Sequence, residues 1–564
     1  MQATPNYDVT IVGGGLASLC LSLQLKQEMP NISILVLEKR GDVAPSAAHK
    51  VGESTVELAT YYLREILHLK DYLDQLQLPK HGLRFFFSTN DKSNLANRVE
   101  LGPKDKPPVP SHQLDRGILE NELTQRSIAA GNQIILGAKG TEVKFGTEHH
   151  DLSYETAEGT FTIKSKWIVD GSGRASFLKR KLGLKKDNTH NVNAAWFRID
   201  EAIDVDDWSE NTAWKKSLTP GARMLGTVHM IDKGYWFWII PLVSQSTSFG
   251  IVADPRFHPF ESFNTFDKAM DWLKINEPLA HEKLLPKKDL LLDFKILKKY
   301  SYNCEEFFST DRWALVGEAG AFMDPFYSPG SDFIAIGNTM TTDLILRDLR
   351  GEDITIHTTV YERTYSTVFN NWLPIYLDKY QLMGNPQTMI LKILWDFSTY
   401  WAIPVLLFFN KGFTNIQLIR TLSSGSDGVL RRYGPLNESL QNLLVEWVDD
   451  DTTKFTNEYV DPLSLSFLKQ FHHGIEAKLS DDAALESQLI QNVELLERVL
   501  CEIFRKIYAH KNGSCDFELI DPYHLSINPE KYVPATSESD HAWPKDEMIS
   551  AELDQVWFYE EIVA

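Results

Sequence analysis

YDVTIVGGGLASLCLSLQLKQEMPNISILVLE, residues 7–38, changes hydrophobic period three times, and those changes define a crossover unit. Residues 7–12 are β-branched and apolar, as a short buried strand requires. Gly13, Gly14 and Gly15 form a tight turn, residues 16–27 carry helical periodicity, and residues 32–37 are a second buried strand ending at Glu38. Strand, turn, helix and strand in this order make the βαβ unit that holds a dinucleotide. Gly13 and Gly15 let the backbone approach a pyrophosphate, the first N–H groups of the helix at Leu16 and Ala17 face it, and Glu38 stands where a carboxylate accepts ribose hydroxyls. Ser18 takes the third glycine position and is small enough for close helix packing. At this point NAD and FAD both fit.

Two later segments narrow the choice. Residues 166–174, Lys-Trp-Ile-Val-Asp-Gly-Ser-Gly-Arg, read as a strand entering a tight turn at Asp170 and Gly171. Residues 313–325, Trp-Ala-Leu-Val-Gly-Glu-Ala-Gly-Ala-Phe-Met-Asp-Pro, read as a strand, a turn of small residues and the start of a helix, where an anion or a flavin edge docks. Three separated pieces converging on one cofactor indicate FAD.

Residues 234–241 read Gly-Tyr-Trp-Phe-Trp-Ile-Ile-Pro. On an extended strand Trp236 and Trp238 point to the same side, so they form either ordinary core or a flat apolar wall beside a buried cofactor.

The chain has 564 residues, 43% of them hydrophobic and 11% aromatic, which predicts two or three globular domains. A formal charge of -20 argues against nucleic acid or an anionic membrane as partner. Cys20, Cys304, Cys501 and Cys515 show no Cys-x-x-Cys spacing, so they are expected to be buried thiols rather than disulfides or metal ligands. Residues 1–6 lead directly into a strand without a basic and apolar leader, which points to the cytoplasm. Residues 395–409 are apolar but interrupted by Asp396 and Pro404, and read as a buried helix rather than a membrane span.

The expected fold class is α/β, a Rossmann-like FAD-binding domain with an inserted substrate-side sheet. Residues 1–350 form this core, with the inserted sheet drawn from about 83–165 and 190–300, through strand-like stretches at 83–88, 194–199, 236–241 and 246–253. Residues 351–564 read as a mostly helical C-terminal region, through the charged stretch 446–454 and the amphipathic stretch 483–508, with an irregular tail after about Pro522.

Taken in order, these motifs resemble the flavin-dependent halogenases, built on the group-A flavin monooxygenase fold. The resemblance spans roughly residues 6–350. It rests on the Gly13-x-Gly15 turn, Val51-Gly52-Glu53-Ser54-Thr55, Lys80 ahead of Gly82-Leu83-Arg84-Phe85-Phe86-Phe87, the Asp170 to Arg174 turn, the tryptophan run, and Gly317 to Gly330. It implies that reduced FAD from a separate flavin reductase, with O₂ and chloride or bromide, yields hypohalous acid, which passes through an internal tunnel to a lysine facing the substrate.

By position Lys80 resembles that lysine. Glu53 and Ser54 belong to the loop lining the flavin, although Ser54 and Glu57 also have the spacing of a helix capping box. Gly317 and Glu318 resemble the Gly-Asp pair at the ribityl chain, and Arg116 and Pro325 are further implied cofactor contacts.

The chain departs from the family at two places. Tyr327 replaces the glutamate of free-tryptophan halogenases, which implies a phenol or pyrrole substrate, free or tethered to a carrier protein. Pro329 and Gly330 match the two residues whose amides hold the halide, and proline has no N–H. Gly330 with Ser328 or Ser331 is therefore the expected halide site. Two other readings compete: a monooxygenase or oxidase of the same fold without halide use, and an idle flavin-binding protein that docks a partner through its helical region.

Overall fold

The computed structural model describes residues 5–45, 50, 52–89, 91–425, 428–448, 455 and 457–559. Val51 and residues 449–454 of the charged stretch 446–454 lie outside the described residues. Strand β1 (Asn6–Val12), helix α1 (Leu16–Glu28) and strand β2 (Ile34–Glu38) form the crossover unit. β1 pairs in parallel with β2 on one edge and with strand Gly159–Asp170 on the other, placing Val12 beside both Leu37 and Asp170. Continuous apolar runs suit strands covered on both faces. Every residue of α1 from Leu16 to Leu25 is buried, because the helix lies between this sheet and the helices Arg116–Ala129 and Pro329–Leu349.

The first sheet runs Phe308–Ser309, Trp313–Leu315, Gly159–Asp170, β1, β2 and Gln133–Leu136, with Lys139–Lys144 and His150–Thr156 attached beside Gly159–Asp170. The second sheet also has eight strands, in the order Leu291–Leu297, Asn193–Ile199, Thr247–Ala253, Tyr235–Pro241, Thr227–Asp232, Leu83–Phe87, Val99–Leu101 and Tyr459–Val460. Strand alternation sorts the side chains of Tyr235–Pro241. Trp236, Trp238 and Ile240 join the core shared with the first sheet and the C-terminal helices, while Tyr235, Phe237 and Ile239 pack against helix Phe266–Asn276 on the far side.

Three expectations change. Of the stretch 83–165, only residues 83–101 enter the second sheet, because Gln133–Leu136 pairs in parallel with β2 and the strands after it follow into the first sheet. Alternation marks a strand but does not name its partner. The helix expected to begin near Pro325 begins at Pro329, after the turn that Asp324 holds by accepting the Phe326 N–H at 3.0 Å. The tail after Pro522 contains helix Glu547–Asp554, started by Asp546, which accepts the N–H groups of Met548 and Ile549.

The C-terminal helices include Thr355–Tyr376, Pro386–Tyr400, Val429–Trp447 and Asp482–Asn512. Pro386–Phe409 is long and apolar enough to cross a membrane, but 89% of its most apolar 18-residue stretch is buried within the protein. Its one acidic residue, Asp396, is neutralised by Lys392 at 2.5 Å and accepts hydrogen bonds from Tyr327 and Gln441 at 2.8 Å each.

Candidate active site

Gly13 has φ +102, and a Cβ there would stand 2.5 Å from the carbonyl oxygen of Gly171, so this turn and the Asp170 turn touch only because the residue is glycine. Gly317, with φ +57, brings a third turn against Ala17. Val316 donates to Asp170 O at 2.9 Å and Asn338 donates to Ala17 O at 2.9 Å, so three distant segments close around the start of α1. Gly15 caps α1 without a side-chain bond to its first amides, leaving the N–H groups of Leu16 and Ala17 for an anion.

Glu38 accepts the Gly14 N–H at 2.6 Å and the Arg40 N–H at 2.8 Å, which fixes its carboxylate at the rim of that turn. Asp170 is fully buried and accepts the Ser172 and Leu178 N–H groups at 2.9 and 2.7 Å. Its oxygens therefore shape the turn, and burial pushes its carboxyl above the ordinary range. Glu318 is partly exposed, 3.8 Å from Arg174, and its backbone carbonyl accepts the Tyr302 hydroxyl.

Arg116 donates to Glu120 at 2.7 Å and to Gly52 O at 3.3 Å. Lys50 shares the same Glu120 at 2.5 Å, and its Nζ stands 3.5 Å from where a Cβ on Gly15 would be, directly before the amides of α1. This uncapped helix start, the glycine cradle and two cations fit a pyrophosphate, and the buried Nη1 of Arg174, without a hydrogen-bond partner, adds a donor beside Glu318.

Lys80 ends the strand Leu78–Lys80, which pairs with Ser111–Gln113, and is only 1% exposed. Its Nζ donates to Ser54 Oγ at 2.9 Å and to Thr55 O at 2.7 Å. Burial lowers its pKa to about 7, against the raising influence of Glu57 and Asp332. Lys80 lines a cavity together with Tyr327, Pro329 and Asp332 and with C-terminal residues such as Tyr400 and His472.

Ser54 also hydrogen-bonds Thr227 Oγ1 at 2.8 Å, so its hydroxyl is committed to tertiary partners. The short helix after it starts at Glu57 with Val56 as N-cap and no side-chain cap, and the capping box does not form. Glu53 is buried and paired with Arg198 at 2.8 Å.

Trp236 and Trp238 lie with ring centroids 5.6 Å apart, and Phe326 and His229 pack on Trp236 at 5.3 and 5.4 Å. Trp236 Nε1 donates to the Tyr380 hydroxyl at 2.8 Å, and Tyr380 donates to Asp324 at 2.8 Å, so the wall is hydrogen-bonded to the segment that carries Pro325. His229 is held near pKa 3 by burial and the positive charge of Lys80.

Ser328 adopts φ +62, and Pro329 opens the helix Pro329–Leu349. The N–H groups of Gly330 and Ser331 in its first turn have no helical acceptor. Residues that motif reading passed over are Lys50, Arg198, His229, Asp332, Tyr400 and His472. Asp332 adjoins the Ser328 to Ser331 segment, whereas the others carry no local signal.

A family model described as FAD binding domain matches residues 6–262. A flavin-dependent halogenase of Dictyostelium discoideum is 27% identical over 443 residues, covering 72% of this chain and 71% of that protein. The 1H-pyrrole-2-carbonyl-(peptidyl-carrier protein) brominase of Pseudoalteromonas luteoviolacea is 24% identical over 358 residues, covering 63% of this chain and 80% of its own. Among solved structures, the halogenase PltM in complex with phloroglucinol and FAD superposes with a TM-score of 0.56 at 16% identity, over 87% of this chain and 96% of that one.

Proposed function

Because this chain belongs to the flavin-dependent halogenases, we propose that Lys80 presents hypohalous acid to an electron-rich phenol or pyrrole, free or carrier-tethered, seated in the cavity it lines. Bound reduced FAD supplies the oxidising chemistry that turns O₂ and a chloride or bromide ion into hypohalous acid. The chain supplies position, charge and dryness. The α1 amides at Leu16 and Ala17, with Lys50 and Arg116 nearby, bind the pyrophosphate, and Glu38 takes the ribose. The amides of Gly330 and Ser331, with the Ser328 hydroxyl, hold the halide at the start of a 21-residue helix. Trp236, Trp238 and Phe326 keep water from the oxidant. Ser54 and Thr55 O aim the Lys80 ammonium, which hydrogen-bonds the oxygen of the hypohalous acid.

The observation that carries this reading is a lysine almost wholly removed from solvent in the wall of a cavity that the C-terminal helices help to line. The enzyme is expected to take reduced flavin from a separate reductase, since residues 7–38 supply the one nucleotide fingerprint in the sequence. Incubating phenolic and pyrrolic compounds with the enzyme, a flavin reductase and either chloride or bromide should give products whose mass and isotope pattern follow the halide. Products heavier by one oxygen and indifferent to halide would overturn it.

A further inference from the structure

The cavity that Lys80 lines holds an acid-base cluster that delivery of hypohalous acid does not use. Asp332 is fully buried, its Oδ1 accepting the Ala59 N–H at 2.9 Å and its Oδ2 the Tyr400 hydroxyl at 2.9 Å. Tyr400 in turn accepts the Leu58 N–H at 3.2 Å, which fixes its hydroxyl toward Asp332. Each carboxylate oxygen keeps a free lone pair.

Glu57 lines the same cavity 3.7 Å from His472 Nε2, and Trp401 adds an indole Nε1 that is buried without a hydrogen-bond partner. The helices that carry Tyr400 and His472 come from the C-terminal region, more than 60 residues beyond Asp332 in sequence.

We propose that Asp332 is a second catalytic residue, which binds and transiently takes the O–H or N–H proton of the substrate in the cavity that Lys80 also lines, so that the enzyme selects neutral arenes bearing such a donor. This rests on the reading of the chain as a halogenase. In the reaction, a ring π pair forms the C–X bond while the X–O bond of hypohalous acid breaks toward oxygen. The arene is oxidised by two electrons and the halogen is reduced by two. As positive charge develops on the substrate heteroatom, its proton passes to Asp332. Loss of the ring proton then restores aromaticity, the heteroatom takes its proton back from Asp332, and the ring proton combines with the departing hydroxide as water.

Burial raises the Asp332 pKa to about 8, so the carboxylate that accepts the substrate proton is the form gained as pH rises toward 8, and its basicity there is closer to a phenolate's than an exposed carboxylate's would be. Burial also acts to raise Glu57, but His472 beside it prevails and holds the carboxyl below its ordinary value.

Matched compounds test this with the FAD-loaded enzyme, reductase and bromide: methyl 4-hydroxyphenylacetate and its methyl ether, with an N–H pyrrole ester and its N-methyl form as a parallel series. Wild type should brominate each ester with a free donor at least 100-fold faster than its N- or O-methylated partner. Asp332→Asn should lower kcat on the donor-bearing esters by roughly 10²-fold or more and leave the methylated esters unchanged. Tyr400→Phe, which removes one bond to Asp332 and keeps the carboxylate, should cause a smaller loss confined to the same substrates. Equal losses on donor and methylated substrates, or none, would overturn the assignment. Failure of wild type to brominate any compound in either series would overturn the halogenase reading and this inference with it, a result separate from the first.

Discussion

Lys80 Nζ donates to Ser54 Oγ and to Thr55 O, and these two bonds tie the buried amine to the loop that runs back past Glu53 toward Gly52 and Arg116. The same loop thus borders the cofactor cradle at one end and aims the delivery amine at the other.

Replacing Lys80 with methionine keeps most of the side-chain volume and removes the amine. Halogenated product should fall roughly 10²–10⁴-fold, the range expected for loss of one positioned proton donor. FAD affinity and peroxide release should be unchanged, because the cradle around Gly13 and Gly317 does not include this residue. Product mass spectrometry alongside a peroxide assay checks this, and a parallel loss of FAD would remove Lys80 from the delivery step.

Glu53 and Arg198 join this loop to the second sheet, and Arg198 is fully buried with Asp293 and Lys50 O as further partners. Glu53→Ala should destabilise the protein by about 3–5 kcal/mol, since it leaves part of a buried guanidinium uncompensated. Glu53→Gln keeps an acceptor for Arg198 and should cost about 1–3 kcal/mol. Urea denaturation of the two variants decides it, and indistinguishable midpoints would show that the pair contributes shape rather than stability.

The parts of this site that the sequence made legible are those whose signals are local. The Gly13 turn is demanded by a backbone approach, and the shared face of Trp236 and Trp238 follows from strand period. Lys80 was found through its resemblance to a family and not through any property of its neighbours in sequence. Ser54 and Glu57 show how local spacing misleads: the hydroxyl that a capping box would use is taken by Lys80 and Thr227, partners 26 and 173 residues away. Asp332, Tyr400 and His472 are not legible in sequence because they converge only when the C-terminal helices fold over the chamber, and helical periodicity records that a face is buried without recording against what.

The titrations of Asp332 and Lys80 should leave opposite marks on stability. Asp332 has its pKa raised to about 8, so the folded state holds a proton that the unfolded state releases above the ordinary value of 3.8. Its contribution is complete at low pH and is lost as pH rises toward 8. Lys80 has its pKa lowered from 10.5 to about 7, so its contribution is complete above 10.5 and lost as pH falls toward 7. The stability of Asp332→Asn relative to wild type should therefore climb between pH 4 and 8, whereas that of Lys80→Met should decline from pH 7 upward. Urea denaturation across pH 5–9 checks both, and slopes of one sign would mean that at least one of these groups is solvated in the folded protein.

Pro329 occupies the first position of its helix, where a missing N–H breaks no helical hydrogen bond, so alanine there should fold as well as proline. What alanine adds is one more amide beside those of Gly330 and Ser331. If the halide sits at this helix start, an extra donor to an anion contributes about 1.5–3 kcal/mol, which lowers the halide concentration for half-maximal rate by roughly ten- to a hundredfold. The maximal rate at saturating bromide should stay close to that of wild type, because Lys80 is untouched and the cavity wall loses only the proline ring. Bromide titration of Pro329→Ala against wild type, with anomalous scattering from bromide-soaked crystals, measures both affinity and place. An unchanged half-saturation and no bromide near Gly330 would move the halide away from this helix.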